Sequence, residues 1–452
     1  MKDLRELLAW LESRGQVVHV QKEVDPAYEL VAAAKKINEA TGKAVYFEHV
    51  KGSRYPVLSY ALANRDGIAA ALNMSPLQMT QQWDQRERQQ LPYRVVETGP
   101  AQEIVEQDPN LYDLPLCIHS DGNQGRYITG GVLVARHPAL GMMNASFNRC
   151  QLVNEKKLRV RMMPPQHLGV FYEAAEKLDR PLEVAIVLGA SPAVMYSGAS
   201  KIPIDRDELE FAGALANERL DVVRCKTIDV LVPANAEIVI EGKVLPHVRE
   251  AEGPFGEFTD SYVPVMENHV FEVTCITRRK DAFWHDIFAG GREDLNLLGL
   301  PIEAEIFNHI KKFANPADIL DVYAAPFVFG CFIRMKKSDE QQPKNILLSA
   351  LASYAWTQFV VVVDEDVDIR KPNDVFWAIQ TRCCPEKDVM VIPGVSSYTR
   401  EDVKDENIGK LGIDATAPLH KKHIYKRRAN HLEDGIKLED YMNEHDRGEG
   451  RA

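Results

Sequence analysis

Hydrophobic and polar residues alternate at helical spacing at the start of the chain and at strand spacing soon after. Leucines three and four positions apart over residues 3–14 predict an amphipathic helix, because such residues share one helical face. A second helical stretch runs from Tyr28 to about Ala40, and the apolar residues 44–47 that follow are typical of a strand. The pattern fades between residues 92 and 113, so the first hundred residues predict a small α/β unit.

Short β-branched segments separated by glycine and proline fill residues 110–280, which favours an antiparallel sheet or barrel. Helical and strand patterns alternate again after residue 300. The predicted elements there are a helix near 345–355, a strand at 359–364, a helix over 373–383 and a strand at 389–393. This alternation is typical of a βαβ unit and predicts a partly parallel sheet.

The chain has 452 residues, which is too long for one compact core. We therefore expect a multidomain protein of mixed α+β and α/β class. The predicted domains are an N-terminal α/β domain at 1–109, a central β-rich domain at 110–305 and a C-terminal α/β domain at 306–452.

Composition and charge exclude several classes of protein. The net charge of −12 argues against nucleic acid as the main partner, since a phosphate-binding surface shows a basic excess. No apolar run is long enough to cross a bilayer, and the charged N-terminus has no signal-peptide core. Seven cysteines without CxxC spacing suit a reducing cytoplasm. The basic segment 421–428 is interpreted as a solvated extension or an oligomer contact, with phosphate binding as an alternative.

The segment EGPFGEF at residues 252–258 places two carboxylates on either side of a Gly-Pro turn. If burial keeps one of Glu252 and Glu257 protonated while a cation holds the other ionised, the pair can divide acid and base roles. A Gly-Pro turn that only exposes two glutamates is the alternative, and the motif alone does not decide between them.

Three further segments carry potential ligands for an anion or a metal. NASFNR offers Asn144 and Arg149, PPQHLG offers His167, and DELEFAGAL offers Glu208 at the start of a small-residue helix. The plain alternatives are a polar strand, a solvated loop histidine and first-turn carboxylates that stabilise a helix. An asparagine, a histidine and a glutamate together would suit manganese or magnesium.

These four segments, in this order and at these separations, resemble the UbiD family of prenylated-flavin decarboxylases. The likeness also includes KTIDVLVPANAEIVIEG at 226–242, VVVVDEDVD at 360–368 and GIDATAP at 412–418, and it covers most of the chain. The resemblance implies a central split-barrel domain that binds prenylated FMN, an activity of removing carbon dioxide from an unsaturated or aromatic acid, and a homo-oligomer. It also implies that a flavin prenyltransferase supplies the cofactor.

The resemblance also assigns roles to individual residues. A network of Arg149, Glu252 and Glu257 would be catalytic, with Glu257 as the proton donor. Manganese, or magnesium in its place, would be bound by Asn144, His167 and Glu208, often with a potassium ion. The residues expected around the cofactor are Asn144, Ser146, Arg149, Gln166, His167 and Glu208. Gln358 is a departure, because the family commonly has a lysine there on the phosphate side of the flavin.

The substrate is predicted from residues 283–299, where family members vary the pocket wall. His285 or Arg292 would recognise a polar substituent or a second carboxylate on a heteroaromatic ring. Furan-2,5-dicarboxylate and pyrrole-2-carboxylate are the expected acids, with 4-hydroxybenzoate-type and phenylacrylic acids as alternatives. A surface loop in which Arg292 pairs with Glu293 or Asp294 is the competing interpretation.

Two other functions remain open at this point. A metal-dependent hydrolase would use the same asparagine, histidine and glutamates to activate water without any flavin. A non-enzymatic flavin- or metal-binding assembly subunit would retain the fold without turnover, but such a subunit would have no need of the two glutamates and the arginine.

Overall fold

The computed structural model describes residues 1–162, 164–324, 328–395, 397, 409–428, 432, 435–437 and 440–441. The chain divides into two compact units, Met1–Pro301 and Ile302–Ala452. The boundary predicted at residue 109 lies inside the first unit, and separate folding of residues 1–109 stays a prediction.

The first unit contains most of the regular structure. Its helices are α1 (Leu4–Glu12), α2 (Glu29–Thr41), α3 (Arg65–Ala71), α4 (Met79–Glu87), α5 (His167–Glu176), α6 (Pro192–Ala199) and α7 (Glu208–Ala216), and α8 (Arg292–Ile310) begins in it. Its first ten strands are β1 (Val17–Val20), β2 (Ala44–Phe47), β3 (Val57–Ser59), β4 (Arg94–Val95), β5 (Ile104–Glu106), β6 (Tyr127–Ile128), β7 (Val132–Arg136), β8 (Met143–Phe147), β9 (Cys150–Asn154) and β10 (Lys157–Val160). The remaining strands are β11 (Leu182–Leu188), β12 (Asp221–Arg224), β13 (Leu231–Pro233), β14 (Ile238–Glu252), β15 (Phe255–Gly256), β16 (Tyr262–Val263), β17 (Met266–Arg278) and β18 (Trp284–His285).

The predicted N-terminal elements form, but they do not make a complete sheet on their own. In α1 the side chain of Asp3 accepts a hydrogen bond from the N–H of Glu6, and the leucine face is buried. The sheet runs β1-β2-β3-β18, and its last strand comes from residues 284–285, far outside the predicted N-terminal domain. Sequence patterns report local spacing only, so they could not assign this distant strand.

The nine-stranded antiparallel sheet is the main scaffold of the first unit. Its strands follow the order β6-β9-β10-β17-β14-β11-β7-β8, with β5 paired to β17. The path begins at β6 and ends at β8, so the sheet is not closed. The predicted antiparallel arrangement is correct, and the region where periodicity fades contributes β4 and β5 to sheets.

A hydrophobic core packs against the strands of the nine-stranded sheet. Leu133, Ile186 and Ile240 are buried and belong to one apolar cluster, which also includes Leu168 and Phe171 of α5. Full burial of one such side chain stabilises the fold by about 1.5–3 kcal/mol. The core thereby fixes the beginning of α5 and strand β7, to which β8 pairs, and both α5 and β8 hold candidate site residues.

The second unit contains a mixed five-stranded sheet with helices α9 (Gln342–Ser353), α10 (Pro372–Arg382) and α11 (Pro385–Asp388). Its strands are β19 (Ile319–Ala324), β20 (Gly330–Met335), β21 (Phe359–Asp364), β22 (Val389–Pro393) and β23 (Gly409–Ala415), in the order β19-β20-β21-β23-β22. Strands β20, β21 and β23 are parallel, whereas β22 pairs antiparallel with β23. The sheet is partly parallel, as predicted, but the predicted βαβ unit over residues 359–393 is wrong, because β22 runs antiparallel to β23 and therefore to β21. The parallel strands joined by a helix are β20 and β21, and their helix α9 starts earlier than expected, with Pro343 in its first turn.

The basic segment 421–428 makes defined contacts within the second unit. The Arg427 guanidinium lies 4.2 Å from the ring centre of Trp377 and forms an ion pair with Asp374. Lys422 pairs with Glu365 at 3.2 Å. These side chains are therefore engaged inside the unit, which a freely solvated extension would not show.

Among the described residues, no helix has the length and apolar character of a membrane span.

Candidate active site

The two glutamates of the EGPFGEF segment share one arginine. Arg149 lies between β8 and β9, and its Nε and Nη2 donate to the two carboxylate oxygens of Glu252 at 3.0 and 2.8 Å. The Nη1 of the same guanidinium donates to Glu257. The predicted catalytic trio is therefore brought together from positions more than a hundred residues apart in the chain.

Glu252 and Glu257 differ in their surroundings. Glu252 is fully buried at the end of β14 and also accepts hydrogen bonds from Tyr127 Oη at 3.0 Å and Asn268 Nδ2 at 2.8 Å. Four donors suit an ionised carboxylate, which can only accept. Glu257 has 24% of its side chain exposed, so it is the carboxyl of the pair that a bound molecule can reach.

The electrostatics of the trio follow from this packing. Burial alone would lower the pKa of the Arg149 guanidinium. The carboxylates of Glu252 and Glu257 outweigh this effect, so the pKa is raised. Burial and the neighbouring Glu252 raise the pKa of the Tyr127 hydroxyl, which stays a hydrogen-bond donor. The site thus holds one guanidinium and two carboxyl groups that are largely shielded from solvent.

The turn that carries Glu257 is fixed by a polar side chain that sequence reasoning missed. Asn123 Oδ1 accepts a hydrogen bond from the N–H of Gly256 at 2.8 Å and one from Ser120 Oγ at 2.7 Å. Gly253 adopts a φ of +96°, a conformation that favours glycine. The backbone on both sides of the turn is thereby held in place.

The second predicted group also converges. Glu208 is the first residue of α7, and its Oε1 lies 3.0 Å from Asn144 Nδ2 on β8 and 3.0 Å from His167 Nδ1 at the start of α5. Ser146 Oγ donates to Asn144 Oδ1 at 3.3 Å, so it borders the same group. Gln166 precedes α5 and is exposed.

These residues fit the metal that their chemistry suggests. Glu208 is 2% exposed, and its Oε2 has no hydrogen-bond partner among the described residues. A buried carboxylate oxygen without a donor is unfavourable, and a divalent cation would satisfy it. One amide oxygen, one imidazole and one carboxylate match the donor preference of manganese or magnesium.

Asp207 positions two of these ligands, although sequence reasoning did not select it. Its carboxylate accepts from the N–H groups of Leu209 and Glu210, which caps α7, and from the N–H of Met143 at 3.0 Å. It therefore ties the start of the Glu208 helix to the strand that carries Asn144. An aspartate directly before a helix is a recognisable cap, so this signal was present in the sequence.

Comparison with known proteins decides the family. Residues 94–292 match the family model of the 3-octaprenyl-4-hydroxybenzoate carboxy-lyase Rift-related domain. Residues 8–87 and 295–415 match the N-terminal and C-terminal domains of the same carboxy-lyase.

The chain belongs to the UbiD family. It is a carboxy-lyase, since its family and its named relatives are decarboxylases. One curated relative is the anhydromevalonate phosphate decarboxylase of Methanothermobacter thermautotrophicus, with 34% identity over 90% of this chain and 96% of that protein.

Solved structures of UbiD-class enzymes share the whole fold. The HmfF enzyme from Pelotomaculum thermopropionicum, solved in complex with FMN, has a TM-score of 0.92 and 35% identity over 97% of this chain and 100% of that one. The 3,4-dihydroxybenzoic acid decarboxylase of Klebsiella pneumoniae has a TM-score of 0.90 and 25% identity over 98% and 100%. The multidomain α/β fold class predicted from the sequence is thereby confirmed.

The predicted substrate residues of this UbiD-family chain lie in different environments. His285 is fully buried in β18, and its Nε2 lies 2.9 Å from Glu293 Oε1. Arg292 is exposed at the first residue of α8. Glu293 Oε1 also accepts from the N–H of Leu62, and Asp294 accepts from the N–H of Gly290.

Gln358 lies in the second unit, where its backbone N–H donates to Phe329 O at 2.7 Å. Its expected effect on the flavin phosphate stays a prediction.

Asp294, on the first turn of α8, is an acid whose protonation changes near neutral pH. Burial, together with the charges of Glu257 and Glu293, raises its pKa from 3.8 to about 7. Between these two values the folded protein binds more protons than the unfolded chain, so this group makes stability fall as pH rises from about 4 to 7. Above pH 7 its contribution is constant.

The Asp294→Asn variant should remove this pH dependence. We expect it to be more stable than the wild type at pH 8 by about 1–3 kcal/mol, with a smaller difference at pH 5. Thermal unfolding followed at both pH values measures the effect, with the exposed Asp121→Asn as the matched control. An equal change in stability at pH 5 and pH 8 would contradict the prediction.

Proposed function

We propose that this protein catalyses the reversible, non-oxidative decarboxylation of an aromatic, heteroaromatic or α,β-unsaturated acid with prenylated FMN. The observation that supports it is the trio of Arg149, Glu252 and Glu257, in which one carboxyl is sealed by donors and the other is accessible. The UbiD-class enzymes of similar fold were solved with FMN or prenylated FMN.

Loss of carbon dioxide from an sp² carbon leaves an anion that no side chain can delocalise. Prenylated FMN, when bound, supplies the electron sink that this step needs. Arg149 holds the substrate carboxylate by charge and keeps Glu252 ionised in its buried position. Glu257 delivers a proton to the carbon that has lost its carboxylate, and it takes the proton back in the direction of carboxylation.

Asn144, His167 and Glu208 would hold manganese, or magnesium, beside the flavin phosphate, with potassium as an additional ion. The buried Oε2 of Glu208, which has no hydrogen-bond partner among the described residues, supports a cation at this position. Ser146, Arg149 and Gln166 would line the cofactor. The metal here has a structural role, since the proton transfer is assigned to Glu257.

The substrate is proposed in two forms. A furan- or pyrrole-type acid is the first candidate, and for furan-2,5-dicarboxylate the support is the exposed, charged side chain of Arg292, which would bind the second carboxylate. An unsaturated acid with a phosphate group is the second candidate. Its support is the 34% identity to an enzyme named for anhydromevalonate phosphate, a dehydrated hydroxy acid of that kind.

The test of function is to purify the protein with a source of prenylated FMN and offer a panel of acids, with carbon dioxide release and substrate proton exchange in heavy water recorded. We expect a coloured protein that releases carbon dioxide from at least one heteroaromatic, aromatic or unsaturated acid. A colourless protein that hydrolyses substrates with metal alone would instead support the metal-dependent hydrolase.

Arg292 is expected to raise the turnover of acids with two anionic groups but not that of acids with one. In the Arg292→Ala variant, we expect turnover of furan-2,5-dicarboxylate to fall by about 10- to 100-fold, because a charge-assisted contact of about 1.5–3 kcal/mol is lost. Pyrrole-2-carboxylate should be affected little. The exposed Arg180→Ala is the matched control, and unchanged turnover of the dicarboxylate by Arg292→Ala would end the recognition hypothesis.

The protein is further proposed to work in the cytoplasm as a homo-oligomer, a dimer or hexamer, with its cofactor supplied by a flavin prenyltransferase. All seven cysteines are free, which suits a reducing compartment. The UbiD-class enzyme HmfF was also solved in an evolved dimeric form, which supports an oligomer.

A further inference from the structure

Cys117, His119 and Asp286 form a second cluster of metal-ligating side chains that the proposed reaction does not use. Their sulfur, nitrogen and oxygen ligand atoms all lie within 4.8 Å of one another. His119 Nε2 is 3.0 and 3.2 Å from the two carboxylate oxygens of Asp286. Thr129 Oγ1 adds a fourth donor, 3.3 Å from His119 Nε2 and 3.4 Å from Asp286 Oδ1.

The cluster is buried and its backbone is anchored. Cys117 is 0% exposed, His119 7% and Asp286 1%. The carbonyl of Cys117 accepts from the N–H of Tyr127 at 3.0 Å, and the N–H of Asp286 donates to Leu58 O at 3.0 Å. Ligands on such fixed backbone need little rearrangement to bind an ion, which favours a preformed site.

Without an ion, the ligands of the cluster are held by hydrogen bonds to one another, since His119 Nε2 and the Cys117 thiol both bond to the Asp286 carboxylate. The thiol of Cys117 also makes a long contact of 3.6 Å with Pro115 O. Burial and the neighbouring Asp286 raise the pKa of this thiol, so it stays neutral until a cation lowers the cost of its ionisation.

We propose that Cys117, His119 and Asp286 bind a zinc ion as a structural site, with Thr129 or a water molecule in the fourth position. Thiolate, imidazole and carboxylate are the ligand types that zinc takes in proteins, usually in four-coordinate geometry. One thiolate and one carboxylate balance the charge of Zn²⁺, so the occupied site is electrically neutral in its buried setting. The spacing of His119 Nε2 and Asp286 already suits two ligands at roughly 2 Å from a common ion.

The zinc site would stabilise one wall of the proposed active site. Thr129 lies two residues after Tyr127, which donates to Glu252, and Ser120 and Asn123 of the adjoining segment hold Gly256. Zinc bound here therefore ties together the segments that position both glutamates. Its role is structural, and loss of zinc should lower thermal stability.

Metal analysis of the full-length protein tests the proposal without reference to activity. We expect about one zinc ion per chain in protein made in zinc-supplemented medium and dialysed, in addition to any metal at His167. Zinc should fall at least tenfold in Cys117→Ser and His119→Ala but persist in His167→Ala. Titration of metal-free protein with cobalt should produce a thiolate-to-cobalt charge-transfer band, which the sulfur-free Asn144, His167 and Glu208 group cannot give.

The near-isosteric Cys117→Ser should abolish the cobalt band, whereas the buried control Cys275→Ser should keep it. Circular dichroism shows whether each variant is folded. Absence of zinc from the wild type with no cobalt band would overturn the proposal and leave a hydrogen-bonded His119–Asp286 pair without metal. A band that survives in Cys117→Ser would overturn it too. Either result leaves the proposed decarboxylase activity untouched.

Discussion

The Glu257→Gln variant is expected to lose decarboxylation and substrate proton exchange by about 10²- to 10⁴-fold, the usual contribution of a positioned general acid. Glutamine has nearly the same shape and can still accept a hydrogen bond from Arg149, but it has no acidic proton to deliver. Because Glu257 is not among the residues proposed to hold the metal or line the cofactor, flavin binding should persist. Proton exchange in heavy water and the flavin absorbance of the purified variant measure the two effects separately.

The exposed Glu267→Gln on β17 is the matched control, since it makes the same chemical change on a neighbouring segment outside the trio. It should keep the activity of the wild type. Normal proton exchange by Glu257→Gln would remove this residue from the donor role. Loss of both flavin and exchange would indicate that Glu257 acts through the shape of the site instead.

The side chains that carry the chemistry could be selected from sequence because they lie in short segments with unusual composition. EGPFGEF and NASFNR supplied all three members of the arginine-glutamate network, and the structure brings them together. His167 and Glu208 were selected in the same way, and Glu208 contacts both His167 and Asn144. Resemblance to a family added the roles, which spacing alone had left open.

The supporting residues could not be found in this way. Tyr127 and Asn268 bond Glu252 from β6 and β17, and which strands become neighbours depends on the pairing of the whole sheet. The same limit explains β18, which completes the N-terminal sheet from residues 284–285. Local periodicity predicts that a strand exists, whereas the choice of its partner is set by packing of distant segments.

The lengths of two strands could not be predicted from the hydrophobic pattern either. The β-branched segments predicted over residues 110–280 were short, but β14 extends over Ile238–Glu252 and β17 over Met266–Arg278. Their pairing continues past two irregularities in register, which carry the sheet out to Glu252. The outer half of this hairpin contains many polar residues, so its strand character was hidden from a hydrophobic pattern.

The Arg149→Met variant should be both inactive and clearly destabilised. Arg149 and Glu252 expose only 7% and 0% of their side chains, so removal of the guanidinium leaves a buried carboxylate without its counter-ion. Breaking a buried pair on one side costs about 3–5 kcal/mol. The remaining donors, Tyr127 and Asn268, are neutral and compensate only in part. Thermal unfolding should show a midpoint several degrees below that of the wild type, and carbon dioxide release should be lost.

A double variant separates the structural role of Arg149 from its role in the reaction. In Arg149→Met combined with Glu252→Gln the uncompensated charge is gone, so most of the lost stability should return while activity does not. Arg149→Lys keeps a positive charge but cannot make the paired contacts to both oxygens of Glu252, so it should be more stable than Arg149→Met and still largely inactive. If the double variant were as unstable as Arg149→Met, the loss would come from packing against Phe255, whose ring centre lies 4.9 Å from the guanidinium carbon, and not from the buried charge.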